Sequence, residues 1–262
     1  MGLFNFNRKI SITNQNWEFY QSFDEDEVVS FTTVDLTYSD AKEQRGFSDE
    51  LFIRVRIPNN RVHETVPIPE EQEFQNKKED ELCNLLTKEK VDCKEVGRIT
   101  YHSQKQYIFE CNDYNSFKKC FDQWSKSFDN NYSIELNKLA PFEYYKDILP
   151  DKYAWQQIGN RRVIEKLIEG GTNEQKEHYI EHGIFGSTED LKRLFEELKK
   201  HEIDLIKLET DLLEAGITSS LLEVGIRSFI ELDDITEQTN YLITTAEEFN
   251  CKYDGWNTKI EK

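Results

Sequence analysis

The sequence predicts an α+β protein built from two domains, residues 1–149 and 150–262. Three observations predict this: runs of alternating apolar and polar residues that are typical of strands, stretches with apolar residues at helical spacing, and a proline-punctuated break. The break lies between Pro141 and Asp151, where no run resembles a strand. Both halves are acidic, with net charges of −8 and −10, and the whole chain of 262 residues carries −18.

The first half is predicted to form a mainly antiparallel sheet with packed helices. Its strands are predicted at residues 17–20, 28–38, 51–57, 96–101, 106–111 and 132–136. A helix is predicted over residues 70–90, where acidic residues in the first turn suit the helix dipole. A second helix is predicted from five aromatic residues at helical spacing, Tyr114, Phe117, Phe121, Trp124 and Phe128. Because large aromatic residues in this pattern normally pack inward, we expect core packing rather than stacking on nucleobases.

The second half is predicted to be ferredoxin-like, with the element order β-α-β-β-α-β. A helix over residues 155–169, which ends at Gly170 and Gly171, precedes these elements. The six elements are predicted near residues 177–185, 187–198, 203–208, 221–227, 234–249 and 251–260. Ser187-x-x-Asp190 is a variant capping signal for the first of the two helices.

The segment from His178 to His182 spells H-x-x-E-H, a zinc-protease motif that requires a helix. Its β-branched and aromatic neighbours favour a strand, on which the two imidazoles would lie about 13 Å apart, too far for one ion. We therefore predict no metal site here. The chain also has no glycine-rich phosphate loop and no C-x-x-C pair, so we predict no cofactor and no catalytic residues.

Charge and composition restrict the partner classes. An anionic chain repels phosphate backbones, so direct nucleic-acid binding is disfavoured and a basic protein surface is the expected partner. No apolar run approaches a membrane span and the N-terminus lacks a signal-peptide pattern, so we expect no membrane association. Five cysteines, an odd number, predict free thiols in a reducing cytoplasm. The oligomeric state is left open.

The run Tyr253-Asp254-Gly255-Trp256 is the candidate partner-binding motif. Strand alternation predicts Tyr253 and Gly255 on one face, with Asp254 and Trp256 on the other. In a structural interpretation Gly255 permits a bulge and the aromatic rings cover the sheet. In a functional interpretation Trp256 anchors a partner, as aromatic hot spots often do. The sequence leaves both open.

Three segments of the second half resemble the bacterial regulator of ribonuclease activity B family. They are RRVIEKLIEGGT (161–172), HYIEHGIFGSTEDL (178–191) and AEEFNCKYDGWNT (246–258), and the Tyr253-to-Trp256 run is the most specific part. The resemblance implies a small acidic ferredoxin-like protein that binds and inhibits the endoribonuclease of the RNA degradosome.

The first half resembles the domain-of-unknown-function family six-nine-five, which is often joined to such a regulator-like module. The matching features are Trp17 to Tyr20, the LFIRVRIP strand, Glu79 to Leu82 and Val96 to Thr100. This resemblance implies an architecture and no activity.

The leading hypothesis is a non-enzymatic acidic regulator that binds a basic protein surface, with a ribonuclease as the implied target. A related hypothesis is an immunity protein or antitoxin against a nuclease toxin. The alternative of a different class is a hydrolase of unknown substrate that uses the first domain. A pocket with several converging polar side chains would favour the hydrolase, and an acidic surface without one would favour binding.

Overall fold

A computed structural model describes residues 15–24, 26–63, 66–201, 203–214 and 217–259. By contacts between its residues the chain divides into two compact units, residues 1–150 and 151–262. The predictions made for the start of the chain, and for residue 260 at the end of the last strand, lie outside the described residues.

The first unit is an antiparallel sheet with two long helices. Its strands are β1 (Trp17–Phe23), β2 (Val29–Asp35), β3 (Asp49–Arg56), β4 (Val62–His63), β5 (Val66–Pro67), β6 (Cys93–Tyr101), β7 (Gln104–Cys111) and β8 (Ser133–Leu139). Its helices are α1 (Pro69–Lys88) and α2 (Tyr114–Ser125). Six strands form one sheet in the order β1-β2-β6-β7-β3-β8, and β4 pairs with β5. The predicted α+β class with a mainly antiparallel sheet is confirmed.

The helices of the first unit cover one face of the large sheet. Alternation along β3 directs Leu51, Ile53 and Val55 toward this core, because successive side chains of a strand point to opposite faces. Phe117 and Trp124 of α2 are buried in the same cluster. The aromatic stripe of α2 therefore packs in the core, as the sequence predicts.

The opposite face of this sheet is covered by residues 140–149, which we call the strap. Its segment Tyr145–Ile148 forms a short 3-10 turn. Phe142, Tyr145 and Ile148 are buried there, at 2%, 0% and 5% exposure. The proline-punctuated break that the sequence indicates at Pro141 is thus a segment with defined structure that covers the second face of the sheet.

The second unit is a four-stranded sheet with three helices. In chain order its elements are α3 (Lys152–Glu169), β9 (His178–Gly186), α4 (Thr188–Leu198), β10 (Asp204–Glu214), β11 (Ile217–Ser228), α5 (Leu232–Glu248) and β12 (Lys252–Asn257). The strands lie in the order β10-β11-β9-β12, and every neighbouring pair is antiparallel.

The core of the second unit lies between the sheet and its helices. Ile184 of β9 and Leu222 of β11 pack with Leu194 of α4 and Leu242 of α5. Helix α4 begins as predicted, because Ser187 Oγ accepts a hydrogen bond from the backbone N–H of Asp190. The segment from His178 to His182 is a strand, which confirms that prediction.

Candidate functional site

Strand β12 contains a bulge that changes the orientation of the Tyr253-to-Trp256 motif. Tyr253 pairs with Ile184 and Gly255 with Gly183, so Asp254 is an extra residue in the ladder. Gly255 has φ of +135°, a conformation that side chains strongly disfavour. Trp256 then pairs with His182, whose side chain is buried with those of Ile180 and Ile184. The predicted alternation is wrong: the inserted residue places Tyr253 and Trp256 on the same, helix-covered face.

Tyr253 contacts a buried histidine. Its hydroxyl lies 2.9 Å from Nδ1 of His182, which is 1% exposed. Burial lowers the pKa of His182 to about 4. Burial also raises the pKa of Tyr253. At neutral pH the pair therefore consists of an uncharged imidazole and a phenol.

Trp256 joins β12 to two helices. Its indole Nε1 donates a hydrogen bond of 2.8 Å to Oδ1 of Asn160 on α3. The Asn160 amide nitrogen donates to Oγ1 of Thr239 on α5 at 2.9 Å. Asn160 and Thr239 are both at 0% exposure, and the half-buried Trp256 ring packs against the apolar cluster that contains Ile164 and Ile235. This geometry gives Trp256 a positioning role beneath α3 and α5.

Asp254 is the member of the motif that is exposed, since Tyr253, Gly255 and Trp256 are all partly buried. The bulge carries its carboxylate at the surface. The role of the four residues in binding a partner stays a prediction.

His178 and His182 point to the same side of β9, as their strand register requires. His178 Nε2 lies 2.9 Å from the backbone oxygen of Asn173, and His182 is engaged by Tyr253. Within the described ranges no group of three or more histidine, cysteine, aspartate or glutamate side chains could hold a metal ion. Each imidazole thus contacts another part of the chain.

Helix α5 carries the most one-sided charge in the second unit. Its sequence has five carboxylates and neither lysine nor arginine. Asp233, Glu237 and Glu248 are exposed, whereas Glu247 forms an ion pair with Lys152 of α3. This surface, which we call the acidic face of α5, lies on the helix that Trp256 helps to position.

Helix α1 has a polar buried face that its apolar residues do not reveal. Glu71, Gln75 and Glu79 recur at i, i+4 spacing and are at 2%, 0% and 2% exposure. Arg98 of β6 donates to Glu79, and the Tyr132 hydroxyl donates to Glu71 at 2.7 Å. The i, i+4 spacing of these three residues is the sequence signal for this buried face. In an acidic helix the same spacing also fits a face exposed to solvent.

A groove of about 390 Å³ lies between α1 and α2. Its lining residues are Glu81, Asn84, Leu85, Lys88, Gln123, Trp124 and Ser127. Glu81 and Lys88 are the ionisable members of this lining, and Glu81 is already paired with Lys78. The hydroxyl in this lining, that of Ser127, donates to the backbone oxygen of Trp124 at 2.7 Å and accepts from Lys78, whose ammonium group also binds Glu81.

These geometries define a two-unit α+β protein whose buried polar groups hold parts of the chain to one another. By family-model matches at residues 157–258 and 15–149, the chain belongs to the Regulator of ribonuclease activity B family and to the Family of unknown function (DUF695). Both recognitions made from sequence segments are thereby confirmed.

The curated relatives carry the name of the family whose model matches residues 157–258. Regulator of ribonuclease activity B of Escherichia coli is 29% identical over 119 residues, which cover 43% of this chain and 82% of the relative. The protein of the same name from Xenorhabdus nematophila is 31% identical over 108 residues, covering 38% and 72%. Among solved structures, an unknown protein from Galdieria sulphuraria matches with a TM-score of 0.23 and 12% identity, over 81% of this chain and 99% of that one. In the described part of the chain no helix is long and apolar enough to cross a membrane.

Proposed function

We propose that this protein is a non-enzymatic regulator that binds a ribonuclease through its second unit and lowers the activity of that enzyme. The observation that carries the proposal is the family match over residues 157–258. Relatives named for regulation of ribonuclease activity share 28–31% identity with this region. The five free cysteines support action in a reducing cytoplasm.

The second unit is, in this proposal, a ferredoxin-like domain that starts near residue 150. Its element order after α3 is β-α-β-β-α-β, and its strand order is β10-β11-β9-β12. Both orders agree with two helices packed on one face of a four-stranded antiparallel sheet.

The partner surface is basic, and the acidic face of α5 is the surface that meets it. Its exposed carboxylates, Asp233, Glu237 and Glu248, have no cation on their own helix. Opposite charge mainly speeds encounter and sets orientation, while desolvated contacts slow dissociation. An RNA-binding enzyme presents such a basic surface, so occupation of it would exclude RNA.

The experiment measures RNA cleavage by a ribonuclease captured with the intact chain. The test variant reverses three charges on α5, Asp233→Lys, Glu237→Lys and Glu248→Lys. The control variant makes the same charge change on exposed positions of the first unit, Glu73→Lys, Asp80→Lys and Glu89→Lys.

We expect the wild type and the control to slow cleavage, and the α5 variant to lose at least tenfold in association rate. Raising the salt concentration should slow association of the wild type steeply, because exposed charges are screened beyond about 10 Å at 0.1 M. Equal loss in both variants would assign the effect to net charge and remove the assignment to α5. Cleavage that is unaffected by the wild-type chain would overturn the proposed function.

A further inference from the structure

Two buried glutamates lie directly beneath the strap. Glu50 of β3 and Glu110 of β7 are cross-strand partners, and both are at 0% exposure. Directly opposed side chains in an antiparallel pair have Cβ atoms about 5 Å apart. Two carboxylates so close and so buried cannot both ionise without a large free-energy cost.

Both glutamates bind the backbone of the strap. Glu50 accepts hydrogen bonds from the N–H groups of Tyr144 and Tyr145, at 2.7 and 2.9 Å. Glu110 accepts one from the N–H of Phe142 at 3.0 Å. The second carboxyl oxygen of Glu110, Oε2, is buried and has no hydrogen-bond partner in the described residues. Because two opposed and buried carboxylates cannot both be charged without a large cost, the pair retains one proton in this closed arrangement.

The position of the shared proton follows from these contacts. Glu50 accepts two N–H groups, which favours its charged form, so Glu110 is the member of the pair that carries the proton. Burial raises the pKa of both groups, that of Glu110 to about 8.

The surrounding charges do not neutralise a second carboxylate. Glu143 raises the pKa of Glu50, and Asp49 raises that of Glu110. Asp147 acts on Tyr144, and Asp35 and Tyr38 act on Tyr145, the two strap residues whose N–H groups bind Glu50. Each nearby cation has another partner. Lys138 pairs with Asp49 at 2.8 Å, and Arg54 with Glu135 at 3.7 Å. The ammonium group of Lys94, the other cross-strand neighbour of Glu110, lies 5.7 Å from the centroid of the Tyr38 ring.

We propose that Glu50 and Glu110 form a proton-dependent clamp that holds the strap on the sheet and releases it when their shared proton is lost. The strap is the last segment of the first unit, and Asp151, the N-cap of α3, follows it after Pro150. Release would therefore free about ten residues at the junction of the units and uncover the apolar sheet face beneath Phe142, Tyr145 and Ile148.

The sign of the pH effect is fixed by proton binding. The closed strap holds the proton up to about pH 8, whereas an exposed glutamate loses it near 4.5. Opening of the strap therefore releases a proton. The equilibrium constant for opening rises by roughly tenfold per pH unit between about pH 4.5 and pH 8. Above about pH 8 it levels off.

The experiment is hydrogen exchange of the intact chain from pH 5 to 9, corrected for the intrinsic exchange rate. We expect the protection of the amides of Phe142, Tyr144 and Tyr145 to fall by roughly tenfold per unit up to pH 8 and then to flatten. Amides of α2 in the same unit report global unfolding, and they should keep their protection. Infrared spectra at pH 6 should show the carbonyl band of a buried protonated carboxyl group.

The variant Glu110→Gln keeps an acceptor for the N–H of Phe142 and the approximate shape of a protonated glutamate, but it has no ionisable proton. Its strap protection should be independent of pH, and the infrared band should be absent. The matched control is Glu73→Gln at an exposed position of α1, which should behave like the wild type. Strap protection in the wild type that does not change with pH, or the same pH response in Glu110→Gln, would overturn the clamp. If Glu110→Gln does not fold, the wild-type exchange profile alone decides.

Discussion

The indole Nε1 of Trp256 lies 2.8 Å from Oδ1 of Asn160, and this bond ties the last strand of the chain to a helix that begins more than a hundred residues earlier. Gln156 also donates to the same oxygen, at 2.9 Å. The Asn160 oxygen therefore keeps one donor when the indole is removed. Loss of Trp256 then leaves no unsatisfied buried acceptor to add to the cost.

Replacement of Trp256 should lower the stability of the second unit in two steps. We expect Trp256→Phe to cost about 1 kcal/mol, since an aromatic ring still fills most of the site and the hydrogen bond is lost. Trp256→Ala should cost about 3 kcal/mol through lost packing. Trp155→Ala is the control, because Trp155 is 46% exposed and its loss should change stability by less than about 0.5 kcal/mol. Urea unfolding of the second unit, followed through α3 and α5, measures the change in the free energy of unfolding for all three variants. Equal changes for Trp155→Ala and Trp256→Ala would refute the positioning role of Trp256.

Acid should destabilise the second unit through His182. Its folded pKa of about 4 lies below the ordinary 6.5, so the unfolded chain binds the proton more tightly. Stability that is full above pH 6.5 should be lost progressively as the pH falls to 4, by up to roughly 3 kcal/mol. The variant His182→Gln should remove most of this dependence, and His102→Gln, at an exposed histidine of the first unit, should leave it intact. Urea midpoints of the second unit at pH 4.5 and 7 provide the measurement.

Two glycines of the second unit should respond oppositely to alanine. Gly159 lies within α3, and a Cβ there would meet nothing within 4 Å, so Gly159→Ala should stabilise by about 0.5–1 kcal/mol. Gly255 has the same open space but φ of +135°, so Gly255→Ala should destabilise by about 1–3 kcal/mol. Thermal unfolding of the two variants compares backbone strain directly, and stabilisation by both would show that the bulge relaxes without cost.

Gly97 of β6 should set how closely the strap approaches the sheet. A Cβ on Gly97 would lie 2.3 Å from Cδ1 of Ile148, so Gly97→Ala should displace Ile148 and speed strap exchange several-fold at every pH. Ile148→Val removes the clashing atom, and the double variant should regain much of the lost protection. Hydrogen exchange at pH 5, where the clamp is protonated, separates this steric effect from the proton effect. A double variant as unprotected as Gly97→Ala would locate the clash elsewhere.

The predictable parts of the fold are those that local patterns specify. The alternation of LFIRVRI predicts β3 and its buried face, and the spacing of Phe117, Phe121 and Trp124 predicts the inward side of α2. Both depend on side-chain periodicity within one element, which the sequence displays directly.

The parts that sequence could not supply depend on pairing between distant segments. Glu50 and Glu110 are two of many carboxylates, and their importance comes from strand register and from the strap that covers them. The orientation of Trp256 was missed because one inserted residue, Asp254, reverses every later side chain of the strand. The glycine at position 255 indicates that a bulge is possible, but only the strand pairing in the structure shows that one is present.

The bulge in β12 also bears on how a partner could attach. Strand β12 ends the sheet order, and in the described residues β9 is its hydrogen-bonded neighbour. A regular sheet edge is a template on which another chain can add a strand, whether a partner peptide or an aggregating copy. The extra residue at Asp254 and the unusual backbone at Gly255 break the even spacing of N–H and C=O groups that strand addition needs. This edge is therefore a poor template for strand addition, so a partner that binds the second unit as proposed would meet side chains rather than the backbone of β12.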